Sequence, residues 1–74
     1  MTLTQFRNLP FETRQEVAQR VPAGKMRQAY NLMFGYTTGC YCRDNTWKKA
    51  AALCGIPRQE LLDCLMPIIV GYEP

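Results

Sequence analysis

Cysteine is the side chain with the widest chemical repertoire in this sequence, and its four copies are unevenly spaced. Cys40 and Cys42 form a C-x-C pair, eleven residues separate Cys42 from Cys54, and nine separate Cys54 from Cys64. Zinc sites usually take two close pairs with roughly two to four residues between partners, and the chain has no histidine to complete a mixed site. The spacing therefore predicts no metal site. We interpret Cys54 and Cys64 as small hydrophobic residues on buried helix faces, whereas the pattern assigns no role to Cys40 and Cys42.

Catalytic chemistry has no convincing set of candidates here. The sequence contains no histidine and no serine. It has no glycine-rich phosphate loop, and no base can be named that would activate a cysteine nucleophile. We therefore expect a protein that is not an enzyme and that uses no cofactor.

Positive charge is concentrated in the middle of the chain. Residues 25–58 carry six basic side chains against Asp44 alone, a net charge of +5. Residues 1–24 carry three arginines and two glutamates, and residues 59–74 carry three acidic residues and no basic ones. An anionic partner would be attracted to the middle segment, although solvating charges on helix surfaces produce the same pattern.

Length and composition indicate one small globular domain over residues 1–74. Apolar residues make up 47% of the chain and charged residues 20%, which is a globular rather than a disordered balance. No apolar run approaches the roughly 20 residues that cross a bilayer, and residues 1–11 lack the charged-then-apolar pattern of a secretory leader. We therefore expect a cytoplasmic protein that does not enter the membrane and has no disulfide scaffold.

Glycine, proline and apolar spacing predict an all-α fold of four to five short helices. Thr2 or Thr4 can cap a short first helix, and further helices are expected over residues 11–21 and 25–35. Residues 35–42 are expected to form a loop. Asp44 or Asn45 is then expected to cap a fourth helix that runs to Gly55.

The fifth helix is expected to begin at Pro57, whose ring presets the first helical turn. Pro67 is expected to end this helix at about Met66, because proline disfavours helical backbone in the residue before it. Residues 67–74 then form a tail. Within the tail, the apolar residues 68–70 either pack back on the core or form a small strand.

The most informative pattern covers residues 47–66, WKKAAALCGIPRQELLDCLM. A helix-turn-helix needs a small residue where its helices approach, glycine at the turn, an apolar residue next, and two apolar positions on the second helix. Those places are filled by Ala51, Gly55, Ile56, Leu61 and Cys64. The segment resembles the DNA-binding helix-turn-helix of small phage repressor and Cro-type proteins. The resemblance covers about a quarter of the chain, and helical hairpins that never bind DNA require a similar pattern.

The resemblance implies a small DNA-binding transcriptional regulator of phage or plasmid type, acting as a homodimer on double-stranded DNA. Arg58 can bond bidentately to guanine and Gln59 to adenine. Arg43, Lys48 and Lys49 can hold phosphates. The resemblance also predicts which residues face the major groove: Pro57, Arg58, Gln59, Leu62, Asp63 and Met66.

A second hypothesis follows from the acidic and apolar residues of the same helix. Glu60 and Asp63 would repel the DNA backbone, and Leu62 and Met66 would leave apolar surface exposed. Outward apolar residues indicate a covered surface, such as a dimer contact, a packed tail or a protein partner. The alternative function is therefore an adaptor or antirepressor that uses Leu62 and Met66 to bind and inhibit another regulator.

Overall fold

The computed structural model describes residues 1–36 and 43–73. Within these ranges all regular secondary structure is helical, and there are no strands. The elements are α1 (Leu3–Arg7), α2 (Phe11–Val17), a 3₁₀ helix (Ala18–Arg20), α3 (Lys25–Phe34), α4 (Asp44–Cys54) and α5 (Arg58–Val70). The all-α prediction of four to five short helices is confirmed. Most of the predicted loop, including Cys40 and Cys42, lies outside the described residues.

The first helix begins as its sequence predicts, and the fourth does not. The Thr2 hydroxyl accepts a hydrogen bond from the Gln5 amide at 3.1 Å, and the Gln5 side chain accepts one from the Thr2 amide at 2.9 Å. This reciprocal capping box satisfies two free N–H groups. By contrast, Asp44 is already helical, and Arg43 occupies the cap position of α4 without a side-chain hydrogen bond. The prediction that Asp44 or Asn45 caps α4 was wrong, and the Asp44 carboxylate instead faces the positive dipole of the first turn.

The fifth helix continues past Pro67 to Val70, so the predicted end at Met66 was wrong. Leu61, Leu65 and Ile69 recur at intervals of four residues, and all three are fully buried. Burial of Ile69 compensates for the backbone hydrogen bond that the proline ring removes. Residues 68–70 are therefore the last turn of a helix and not a strand, and the predicted packing on the core is confirmed for Ile68 and Ile69.

An aromatic cluster centred on α3 forms the core. The Phe34 ring meets the Phe6 ring at 5.3 Å and the Trp47 ring at 6.2 Å, both edge to face. Tyr30 stacks obliquely on Phe34 at 5.0 Å. These contacts tie α1, α3 and α4 together, and edge-to-face pairs add stability beyond their buried area.

Arg14 is buried in this core, which the sequence did not predict. Its guanidinium donates hydrogen bonds to the carbonyl oxygens of Leu9 at 3.2 Å, Phe34 at 3.2 Å and Tyr36 at 2.8 Å. The Tyr30 hydroxyl donates to the Arg14 carbonyl oxygen. The positive group thus lies at the negative end of the α3 dipole, where a cation is stabilised.

The two ends of the described chain meet beside α5. The Met1 amino nitrogen donates to the Val70 carbonyl oxygen at 2.9 Å. The Arg20 guanidinium lies 5.2 Å from the centre of the Tyr72 ring, as a cation–π contact. No helix in the described part of the chain has the length and apolar character to cross a membrane.

Candidate nucleic-acid interface

A tight turn over residues 55–57 connects α4 to α5. Gly55 adopts a left-handed backbone with φ 67° and ψ 33°, as its position in the pattern predicts. The Gly55 amide donates to the Ala52 carbonyl oxygen at 3.3 Å, and the Ile56 amide donates to that of Ala51 at 2.9 Å. These bonds satisfy two of the free carbonyl groups at the end of α4, those of Ala51 and Ala52. Pro57 then occupies the cap position of α5.

The helices α4 and α5 pack on each other, and the pattern residues differ in their burial. Ala51 is 3% exposed and Leu61 is fully buried, whereas Ile56 and Cys64 are half-buried. Because Ala51 belongs to the core, a larger side chain at this position would overpack it. A glycine turn between two packed helices occurs in many helical hairpins, so the helix-turn-helix assignment and DNA binding both stay predictions.

Arg58 and Gln59 lie exposed on the first turn of α5, and each side chain already contacts a carboxylate. Arg58 Nη2 lies 3.4 Å from Asp44 Oδ1, in an exposed ion pair. Gln59 Nε2 donates to Asp63 Oδ1 at 2.8 Å, one helical turn along. Exposed pairs of this kind contribute about 0–1 kcal/mol. Arg58 and Gln59 can therefore exchange these carboxylates for another ligand at little cost.

The basic residues predicted to hold phosphates are exposed but do not lie on one face. Arg43 directly precedes α4, and Lys48 lies one turn from Asp44, on the side of α4 that meets Arg58. Lys49 instead lines a groove between α3 and α4. Lys48 thus shares the side of α4 on which Arg58 contacts Asp44, whereas Lys49 lies on a different side of the helix.

Leu62 and Met66 are not the exposed apolar surface that the sequence suggested. Both are half-buried and pack against the core cluster, because α5 turns this side partly toward its neighbours. Their role in binding a partner stays a prediction. The large apolar side chains that are exposed in the described part of the chain are Leu32, Tyr36, Leu53 and Val70.

Sequence reasoning missed the exposed apolar residues between α3 and α4. Leu53 follows the buried stripe formed by Trp47, Ala50 and Ala51 but falls outside it. A leucine on the polar side of an amphipathic helix is the signal that could have indicated this surface.

Negative charge also surrounds the first turn of α5. Asp44, Glu60 and Asp63 are exposed beside Arg58 and Lys48, so this end of the helix carries both signs. No protein-family model, curated protein or solved structure matches this chain.

Proposed function

We propose that this chain is a small transcriptional regulator that binds double-stranded DNA through α4 and α5, in the manner of phage- or plasmid-type helix-turn-helix proteins. One observation carries the proposal. The first turn of α5 is exposed and presents Arg58 and Gln59 directly after the left-handed Gly55 turn. In helix-turn-helix proteins, the N-terminal residues of the second helix contact base edges in the major groove.

Base recognition would come from the exposed first turn of α5. The Arg58 guanidinium suits the O6 and N7 acceptors of guanine, and the Gln59 amide suits N6 and N7 of adenine. Each such bidentate pair discriminates against a wrong base by about 1–3 kcal/mol. This exceeds the contribution of the exposed contacts that Arg58 and Gln59 make in the free chain.

Backbone contacts would come from Arg43 and Lys48, beside the start of α4. The net charge of +5 over residues 25–58 would attract the DNA before specific contacts form. One module of this size offers limited contact area, so we propose that two copies bind half-sites about one helical turn apart, roughly 34 Å.

Fluorescence anisotropy with a mixed-sequence duplex tests this proposal at roughly 50 and 200 mM salt. We expect wild-type binding to weaken steeply as salt increases, because phosphate contacts release counterions. Lys48→Glu should weaken binding by about tenfold, since each lost phosphate contact reduces both the affinity and its salt dependence.

Lys49→Glu is the matched control, because it makes the same change of charge on the neighbouring residue that faces the α3–α4 groove. It should weaken DNA binding less than Lys48→Glu. Equal losses would indicate that net charge alone drives binding. Absence of wild-type binding at the lower salt concentration would contradict the proposal.

The second candidate is an adaptor or antirepressor that binds another regulator through the same face. The exposed carboxylates of Asp44, Glu60 and Asp63 favour it, because they complement the basic surface of a DNA-binding protein. Under this hypothesis, Leu62→Asp abolishes partner binding while Lys48→Glu has little effect. Circular dichroism must first establish that Leu62→Asp remains folded, since Leu62 packs against the core.

A further inference from the structure

We propose that the groove between α3 and α4 binds a short amphipathic helix of a partner protein, one with apolar anchors and acidic flanks. This α3–α4 groove is a different surface from the proposed DNA interface and goes beyond it. Its central side chains are Leu32, Tyr36, Thr46, Lys49 and Leu53.

The groove has the dimensions of a short helix. The two helices run antiparallel, because Tyr36 and Thr46 line one end while Gln28 and Cys54 line the other. Two adjoining open hollows of about 300 and 420 Å³ share Leu32 and Leu53. The six steps from residue 28 to residue 34, where α3 ends, rise about 9 Å along the helix axis, a little under two helical turns.

The floor and walls of the groove are unusually apolar for an exposed surface. Leu53 is 77% exposed, Tyr36 is 40% exposed and Leu32 is 38% exposed. Only Val70, among the other large apolar side chains of the described residues, is exposed to a similar degree. Clustered exposed apolar side chains with polar neighbours mark protein interaction sites.

Charge indicates an acidic occupant. Lys49 lines one hollow, and the Lys25 ammonium lies near Gly55, the chain neighbour of Cys54, which lines the other hollow. None of the described residues that line the two hollows carries a carboxylate. Glutamate or aspartate on the partner would find complementary charge on both sides of the apolar floor.

A second copy of this chain fits the groove less well than an acidic helix does. Isologous pairing would bring the cations Lys25 and Lys49 of two protomers to one interface. A stable dimer also buries about 800 Å² on each partner, roughly a sixth of the 4671 Å² accessible surface. Three exposed apolar side chains cannot supply such an area, but they match the few anchors of a helix in a groove.

The probe is a fluorescein-labelled stapled helix of three turns, with leucines at positions i, i+4 and i+7 and glutamates on both flanks. A second peptide carries lysine in place of every glutamate. Anisotropy of both peptides is measured with the full chain. We expect the acidic peptide to bind at least about tenfold more tightly than the basic one.

Variants locate the binding face. Leu53→Asp should abolish binding of the acidic peptide, and Lys49→Glu should weaken it about tenfold. Lys48→Glu, the matched control outside the groove, should change it less than about twofold. Three results would each overturn the proposal. The acidic peptide does not bind, the two peptides bind equally, or Lys48→Glu and Lys49→Glu have equal effects.

Two further measurements exclude other occupants. If sedimentation shows a wild-type dimer that Leu53→Asp dissociates, the occupant is a second copy and the proposal fails. If Leu53→Asp lowers the melting temperature by more than about 5 °C, the chain itself covers Leu53 and the proposal also fails. The Leu53→Asp variant should bind DNA as tightly as wild type. Loss of peptide binding and loss of DNA binding are therefore independent results, and each tests only its own proposal.

Discussion

At the scale of single residues, Arg14 does most to join distant parts of the chain. Its guanidinium links the carbonyl of Leu9, before α2, with those of Phe34 and Tyr36 at the end of α3. No carboxylate shares in these bonds, and no other charged side chain is buried in the described part of the chain. Only the planar guanidinium has enough donors in a fixed geometry to bond three carbonyl groups at once.

We expect Arg14→Ala to lower the free energy of unfolding by about 2–4 kcal/mol, because buried carbonyl groups lose charge-assisted hydrogen bonds. Arg14→Lys should lose a smaller part, since it keeps the charge but not the forked geometry. Urea unfolding followed by circular dichroism measures both. The exposed neighbour variant Gln15→Ala should stay within about 0.5 kcal/mol of wild type. An Arg14→Ala variant as stable as Gln15→Ala would contradict this account.

At the scale of elements, α5 illustrates how packing overrides a local stop signal. Pro67 has no N–H for the Asp63 carbonyl and disfavours helical backbone before it. The helix nevertheless continues, because its last turn buries Ile69 and its end meets the Met1 amino group. The element is therefore longer than its own sequence preference allows.

We expect Pro67→Ala to raise the free energy of unfolding by about 1–3 kcal/mol, because alanine restores the missing helical hydrogen bond and removes the ring. Thermal or urea unfolding measures the change. Pro10→Ala is the matched control, since Pro10 occupies the cap position of α2 and interrupts no helical bond there; it should shift stability by less than about 1 kcal/mol. A loss of stability in Pro67→Ala would contradict the proposed cost of this residue.

At the scale of the whole molecule, the two lysines in the middle of α4 belong to different surfaces. On the first surface, Lys48 lies on the side where Arg58 contacts the Asp44 carboxylate, and on the second, Lys49 lines a groove with exposed apolar side chains. If the first surface binds DNA, Asp44 weakens binding in two ways. Its carboxylate repels the DNA phosphates, and its ion pair with Arg58 competes with contacts from Arg58 to DNA.

We expect Asp44→Asn to tighten DNA binding by about three- to tenfold at low salt, a range set by one exposed ion pair and one removed negative charge. Glu12→Gln removes a negative charge from the exposed first turn of α2 and is the matched control. It should change affinity less than about twofold. Anisotropy titrations compare the two variants, and an equal gain in both would assign the effect to net charge rather than to release of Arg58.

Sequence patterns predicted the local structure that depends on nearest neighbours. The Thr2 cap and the glycine turn at Gly55 both agree with the structure. Such features follow from helical periodicity and from backbone conformations that only certain residues adopt. The resemblance to phage-type helix-turn-helix segments implied the candidate residues Arg58 and Gln59, which lie exposed at the start of α5.

Tertiary structure alone decided how those elements share their surfaces. The burial of Arg14, the passage of α5 through Pro67 and the half-burial of Leu62 each depend on a neighbouring element that is remote in sequence. Helical periodicity turns Lys48 and Lys49 in different directions, but the packing of α3 places Lys49 at a groove. One-dimensional periodicity identifies the apolar side of a helix, but only the assembled fold determines which polar side chains meet and which apolar ones stay uncovered.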